Sequence, residues 1–441
     1  MIASFVLTLP ELGYTFTSFK RGGGPSPEVP RKNPNKFVND TAEVFSSGGT
    51  LAGPSNSALA IRPRRRHRHC AIALRKSASV LAFLALLFIL LSSTGQPEAD
   101  AGTFLTPAAA KPLAAPPAKK VIIDTDPGTD DALAILLALN SPELDVRALT
   151  VVPGNVTAQQ GLENALKLAS LTNRCDIPVA GGAQHPLFQK LITAEFWHGA
   201  NGLANVELPA SKCQADPRFG PDLIIQMIHE SPHEITLVPI GPLTNIALAV
   251  EKDPSIVPLV KEVVIMGGSI TGGNVNASAE ANIYNDPEAA QIVFQAGWRL
   301  TMVGLDVGNK TLYGHARLDQ LSTTHGPEND FAVKVLAYLL GLEAKYGSGG
   351  GSPMYDPLAV GAAIDPSIVT TEAMRVDVET RGDFTRGETV ANRHNYVEDN
   401  VLRGNRYVIE GVKQVSPNVQ VCTGVNAEKF LQLLNSRLQG K

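Results

Sequence analysis

Three shortages narrow what this chain can be. It has four cysteines and two tryptophans in 441 residues, and its 38 basic and 42 acidic side chains nearly cancel. Four cysteines are too few for a disulfide-stapled scaffold, and the nine histidines show no zinc-ligand spacing. A formal net charge of −4 leaves no global basic field to attract nucleic acid. No internal repeat is evident, which argues against a solenoid. The uninterrupted apolar run Val80–Leu91 has 12 residues, and as a helix it would rise about 18 Å, short of the roughly 30 Å bilayer core. What is present, 44% hydrophobic and 18% charged residues, suffices for a large buried core.

The small net charge hides an asymmetry. Residues 1–101 carry 12 basic and 6 acidic side chains, and the other 340 carry 26 and 36. A basic leader therefore precedes an acidic body. Residues 1–76 read as a disordered leader rich in Gly, Ser and Pro, closing on Arg62, Arg64, Arg65, Arg66, Arg68, Arg75 and Lys76. Residues 77–101 combine that basic flank with the short apolar core and the small-residue exit Ala99-Asp100-Ala101, the pattern of a secretory signal peptide. The expectation is an exported protein, periplasmic or secreted, with a membrane anchor over 78–92 as the alternative. Residues 102–119 are an Ala/Pro linker, and 120–441 form the folded body. Export would leave Cys175, Cys213 and Cys422. One bridge is permitted, three buried thiols are equally compatible, and spacing does not choose between them.

Within the body, short apolar strands alternate with helical stretches. VIID (121–124), DVRALTVVPGN (145–155), ITLVPIGP (235–242), EVVIMGG (262–268) and LTMVGLDVG (300–308) read as strands, and GLENALKLASLTN and DPEAAQIVFQAG as helices. That alternation predicts a single α/β domain with a mostly parallel, Rossmann-like central sheet flanked by helices. Ligands of such sheets bind beyond the carboxyl ends of the strands. Polar clusters recur at those ends: after 124, at Asn155, at 240–245 and at 274–286.

The densest is DTDPGTDD, Asp124 to Asp131, with four carboxylates in eight residues at a strand-to-helix turn. Helix capping and a turn account for one or two of them. Four repel one another unless a cation or several N–H donors compensate, and an all-oxygen set favours a hard cation, Ca²⁺ or Mg²⁺.

VIIDTDPGTDDA (121–132) resembles the opening signature of the inosine–uridine-type nucleoside hydrolases. VPGN (152–155), GPLTNIA (241–247), MGG (266–268), AEANIYNDPEAA (279–290) and YDPLA (355–359) continue the resemblance in family order. It implies hydrolysis of the N-glycosidic bond of ribonucleosides by a Ca²⁺-bound water. The implied metal ligands are Asp126, Asp131, Asp356 and the main-chain carbonyl of Ile240, with Asp126 also the general base and Asp124 one layer behind. Asp130, Asn155, Asn274, Glu280 and Asn282 would bind the ribose. The family resemblance further implies a homodimer or homotetramer acting on a small nucleoside, with no nucleic-acid partner.

Many members place His before the late Asp, where this chain has Tyr355. Tyrosine donates a hydrogen bond but, with an ordinary pKa near 10, is a weaker acid than His at neutral pH. His198, in FWHGANGL, matches a family position near the base and is the other expected leaving-group residue. Tyr346 opens the Gly-rich segment YGSGGGSP and is expected to close over the base as a lid. Trp298 reads as core, and Arg381-Gly382-Asp383 as an ordinary charged turn. Two alternatives compete. Asp124-Thr125-Asp126 resembles the DxD start of haloacid-dehalogenase-type phosphohydrolases, although Gly128 and the Asp130-Asp131 pair depart from that pattern. Tyr355 in place of His also suits a nucleoside-binding protein with impaired catalysis.

Overall fold

A computed structural model describes residues 117–440 apart from 348 and 395. The leader, the apolar run and the candidate anchor over 78–92 lie outside the described residues, and among the described ones no helix is long and apolar enough to cross a membrane. The strands are β1 (Lys119–Thr125), β2 (Leu144–Val151), β3 (Val179–Gly181), β4 (Thr236–Pro239), β5 (Glu262–Met266), β6 (Leu300–Val303), β7 (Leu312–Tyr313), β8 (Ser352–Pro353), β9 (Val369–Val378), β10 (Thr389–Asn392), β11 (Tyr396–Arg403), β12 (Arg406–Gln414) and β13 (Val419–Val425).

Nine strands form one sheet in the order β10-β9-β13-β6-β5-β4-β1-β2-β3. Every pairing from β13 through to β3 is parallel; β9 pairs antiparallel with both β13 and β10. This is the mostly parallel, helix-flanked sheet expected. β1 sits inside it, and Val121, Ile122 and Ile123 are wholly buried because helices cover both faces. The helix Thr129–Leu139 that follows is apolar on nearly every side, and ten of its eleven residues are buried. It starts on Gly128, whose N–H is accepted by Asp131 three residues on. The chain therefore leaves the centre of the sheet and enters a buried helix within four residues, which fixes where the acid run lies.

Several local readings change. The strand expected over 300–308 ends at Val303, and Leu305–Gly308 turns into a short helix. Strands β9 to β13 had no counterpart in the apolar pattern. The end of the Gly-rich segment is a strand, with Ser352–Pro353 paired to Leu312–Tyr313. Trp298 is core, its indole N–H donating to the Val293 carbonyl at 3.0 Å. Cys175 and Cys213 form a disulfide across 38 residues of sequence. Cys422 stays a buried thiol, pushed up to about 12 by burial.

Candidate active site

The carboxyl ends of β1, β2, β4 and β5 open on the same side of the sheet, and each delivers part of one cup. β1 ends at Thr125 and presents Asp126. The Asp126 carboxylate is buried; its Oδ2 accepts the Asn155 N–H at 2.7 Å from the loop after β2, and its Oδ1 has no hydrogen-bond partner. Two glycines make room for it. A Cβ at Gly154 would stand 2.0 Å from Asp126 Oδ2, and one at Gly241 would stand 2.5 Å from Oδ1 and 3.0 Å from the Asp126 nitrogen. No other residue fits at either position without moving the acid.

Asp131, held by the helix N-terminus, is saturated with donors. Its Oδ1 accepts the Thr125 hydroxyl at 2.6 Å and the Asp126 N–H at 3.3 Å; its Oδ2 accepts Gly128 N–H at 3.0 Å and Asn155 Nδ2 at 2.8 Å. Asp356 arrives from far along the chain, in the first turn of the helix Tyr355–Ile364 that packs against Thr129–Leu139. Among the described residues, Asp130, Asp131 and Asp356 bring carboxylate oxygens within 4.8 Å of one another. Asp126 adjoins this trio through its bond to Asp131. Asp130 Oδ1, like Asp126 Oδ1, is buried without a partner.

Burial is the main reason these acids resist ionisation, and mutual repulsion adds to it. Asp130 is pushed up to about 6, Asp126 and Asp356 well above the carboxylate range, the latter also by Asp130, Asp131 and Asp126. Buried carboxylates crowded together, two with an unused oxygen, are what a hard cation would relieve, so the residues present fit a divalent metal.

Asp124 lies one layer down. Its Oδ1 accepts the Thr150 hydroxyl at 2.5 Å and Asn245 Nδ2 at 2.8 Å, and burial raises it to about 7. Asn245 also donates to the Val151 carbonyl and accepts the Ala183 N–H at 2.8 Å, tying β1 and β2 to the start of the long loop beyond β3. The structure therefore gives roles to three residues that sequence reading left without one: Thr125, Thr150 and Asn245. Thr125 and Asn245 lie in the polar segments at the strand ends, but composition does not say which carboxylate each of them serves.

The other expected residues fall in two groups. Glu280 is wholly occupied as the cap of the helix Ala281–Asn285, accepting the N–H groups of Asn282, Ile283 and Gly268. Asn282 Nδ2 donates to the Ile240 carbonyl at 2.8 Å and to Met266. Asn274 is exposed and caps Ala281 at 3.0 Å. His198 belongs to the cup: its Nδ1 accepts the Thr129 N–H at 3.1 Å, lies 2.8 Å from the Thr129 hydroxyl and 3.8 Å from Asp130, and burial lowers its pKa to about 4. With Nδ1 accepting a main-chain N–H, the neutral ring carries its proton on Nε2. Tyr355 donates to Asn309 Oδ1 at 2.8 Å, and burial with nearby Asp130 raises its pKa further.

An exposed aromatic group adjoins His198. Phe196 and Trp197 stand edge to face at 5.1 Å, and Tyr346 packs 5.4 and 5.8 Å from them. Tyr346 was expected as a lid over the base; it packs against two residues of the helix Glu195–His198 that also carries His198.

Comparison with known proteins bears on this geometry. Residues 121–432 match the family model described as inosine-uridine preferring nucleoside hydrolase. Over 327 residues the chain is 39% identical to the pyrimidine-specific ribonucleoside hydrolase RihA of Salmonella arizonae, covering 72% of this chain and 98% of that one. It is 42% identical over 280 residues to the inosine-uridine preferring nucleoside hydrolase of Crithidia fasciculata, covering 63% and 89% respectively. Among solved structures, a plant nucleoside hydrolase superposes with a TM-score of 0.67 at 38% identity, over 74% of this chain and all of that one.

Proposed function

From the premise that this chain belongs to the inosine–uridine preferring nucleoside hydrolase family and hydrolyses the N-glycosidic bond of ribonucleosides, we propose how its own residues divide the work. The orphaned Asp126 Oδ1 carries this reading. A carboxylate held by one N–H on Oδ2, with its other oxygen free and its proton affinity raised, is a general base placed to take a proton from the attacking water. Asp126, Asp131, Asp356 and the Ile240 carbonyl would hold the metal, and an all-oxygen set of this charge suits Ca²⁺. When bound, the cation lowers the pKa of water and orients it.

The other residues bind and position. Asn155 spans Asp126 and Asp131 and so couples the base to the metal-binding acids. Asp130, with its own free oxygen, is the strongest ribose-hydroxyl acceptor of the group. Asn155, Asn274, Glu280 and Asn282 complete the expected ribose set, with Glu280 contributing through the loop it caps. Bond cleavage leaves positive charge on the sugar, which the surrounding carboxylates stabilise. The leaving base must gain a proton or a hydrogen bond. His198 Nε2–H is set up to donate one, whereas Tyr355 would first have to release Asn309. The rim of Phe196, Trp197 and Tyr346 offers the base aromatic faces.

The phosphohydrolase alternative needs Asp124 as nucleophile. Buried and bonded to Thr150 and Asn245, Asp124 supports the floor instead. We further propose export, with a homodimer or homotetramer as the working form. The Cys175–Cys213 bridge favours an oxidising compartment. Fractionating cells that express the full chain, with mass spectrometry of the N-terminus, tests this; an uncleaved cytosolic protein would refute it.

Asp126→Ala should lower kcat on inosine or uridine by about a thousand-fold, in the range expected for a general base that also binds metal. Near-normal turnover would refute the assignment. Tyr355→Phe should cost less than tenfold and spare an activated nitrophenyl riboside. Equal large losses on natural and activated substrates would give Tyr355 a structural role.

A further inference from the structure

Strands β11 and β12 stand outside the main sheet as a two-stranded hairpin, Tyr396–Arg403 paired antiparallel with Arg406–Gln414. Their register, with a one-residue irregularity between Asp399 and Asn400, sorts the side chains onto two faces. One face carries Tyr396, Leu402, Tyr407, Ile409 and Val412 beside the polar Asn400 and Gln414, with Glu398 as its single charge. The other mixes Val397, Val401 and Val408 with the charged Asp399, Arg403, Arg406 and Lys413. The expected burial is absent: Tyr407 is 74% exposed, Val412 60%, Leu402 57% and Ile409 56%.

Five large apolar side chains on one face leave about 500 Å² of contiguous apolar surface, at the upper end for a soluble monomer. Both outer edges of the hairpin also lack a strand partner among the described residues, a feature soluble proteins ordinarily cover or charge. We infer that this face docks a second copy of the chain, face to face across a two-fold axis. A two-fold contact requires a patch that tolerates itself. A face with one carboxylate meets that condition, whereas a basic or acidic partner would leave its charges unanswered. Two such faces together would bury about 1,000 Å², the threshold for a specific contact. The inference rests on the self-association proposed above and assigns it a surface.

Sedimentation of the full chain at several concentrations should show a dimer or larger. Tyr407→Lys with Ile409→Lys should weaken association by about a hundred-fold, as expected for charges placed in an interface centre, while the rate per active site on uridine and the melting temperature hold. A wild type that stays monomeric overturns both self-association and the hairpin. An oligomer indifferent to the two lysines overturns the hairpin alone. Should the variant not fold, hydrogen exchange on the unmodified protein decides: hairpin amides must become more protected as concentration rises. Protection that appears only on adding phospholipid vesicles would overturn the second copy as occupant.

Discussion

The floor of the active site and its rim are built by opposite rules. The floor is a lattice of buried acids in which Asp131 has donors on both oxygens while Asp124, Asp126 and Asp130 each keep one oxygen without a partner, and glycines at 154 and 241 let the backbone close around Asp126. The rim is three aromatic side chains, each exposed by 47 to 61%, touching mainly one another. The segment bearing Phe196, Trp197 and His198 is bracketed by the Cys175–Cys213 bridge. A fixed floor suits the ribose and the water, which every ribonucleoside presents alike, and an adaptable rim suits a base that varies.

The comparison breaks most sharply if the floor tolerates crowding. Gly241→Ala and Gly154→Ala each drive a methyl group into Asp126 from opposite sides. Overpacking of this kind costs about 1–3 kcal/mol of stability, and misplacing a catalytic group by about 1 Å can cost a hundred-fold in rate. Each variant should therefore fold, with a melting temperature lowered by a few degrees, and lose at least about a hundred-fold in kcat. Full activity in either would mean that Asp126 need not stand where these glycines hold it.

How much of this could be read from sequence differs along the chain for physical reasons. β1, β2, β4, β5 and β6 were legible because strands buried on both faces are continuous apolar runs ending in Gly or Pro turns, whereas β3, three residues long, was not. β9 was not: only its last half is buried, since it lies toward the edge, so VTTEAMRVDV shows no clean period. β11 and β12 defeat pattern reading outright, because their apolar residues face water. In the site, the acids announced themselves by crowding. Thr125, Thr150 and Asn245 did not, since their role depends on contacts from residues up to 121 positions away. Asp130 was read as a ribose ligand, and the fold also places it beside Asp131 and Asp356.

Charge offers a second way to sharpen the contrast. Carboxyls whose pKa is higher in the folded chain than in the unfolded one hold protons more tightly when folded. Their contribution favours the metal-free fold below about pH 4, fades as pH rises through about 6 for Asp130 and further for Asp126 and Asp356, and does not return above that. A bound cation reverses the balance by favouring the ionised forms. Melting temperatures measured with Ca²⁺ and with chelator at several pH values should differ most at pH 8 and least near pH 5. A Ca²⁺ effect that is independent of pH would mean the metal does not bind at these acids. Rim variants should leave the whole profile unchanged.

The smallest effect belongs to the rim and is the most selective. Trp197 contributes an aromatic face and no hydrogen bond to the floor, so Trp197→Ala should raise KM about tenfold, the value of one stacking contact worth about 1–1.5 kcal/mol. Trp197→Phe should recover most of the loss, because a smaller ring keeps the face. kcat on an activated nitrophenyl riboside should hold within about twofold, since the acids beneath are untouched and uniform binding is what has been lost. The change in KM should also differ between uridine and inosine, because rings of different size cover different areas of Trp197, Phe196 and Tyr346. If kcat falls as far as kcat/KM, with no difference between the two nucleosides, the rim must act on the floor through the adjacent His198 and its bond to Thr129. The two regions would then be one catalytic unit.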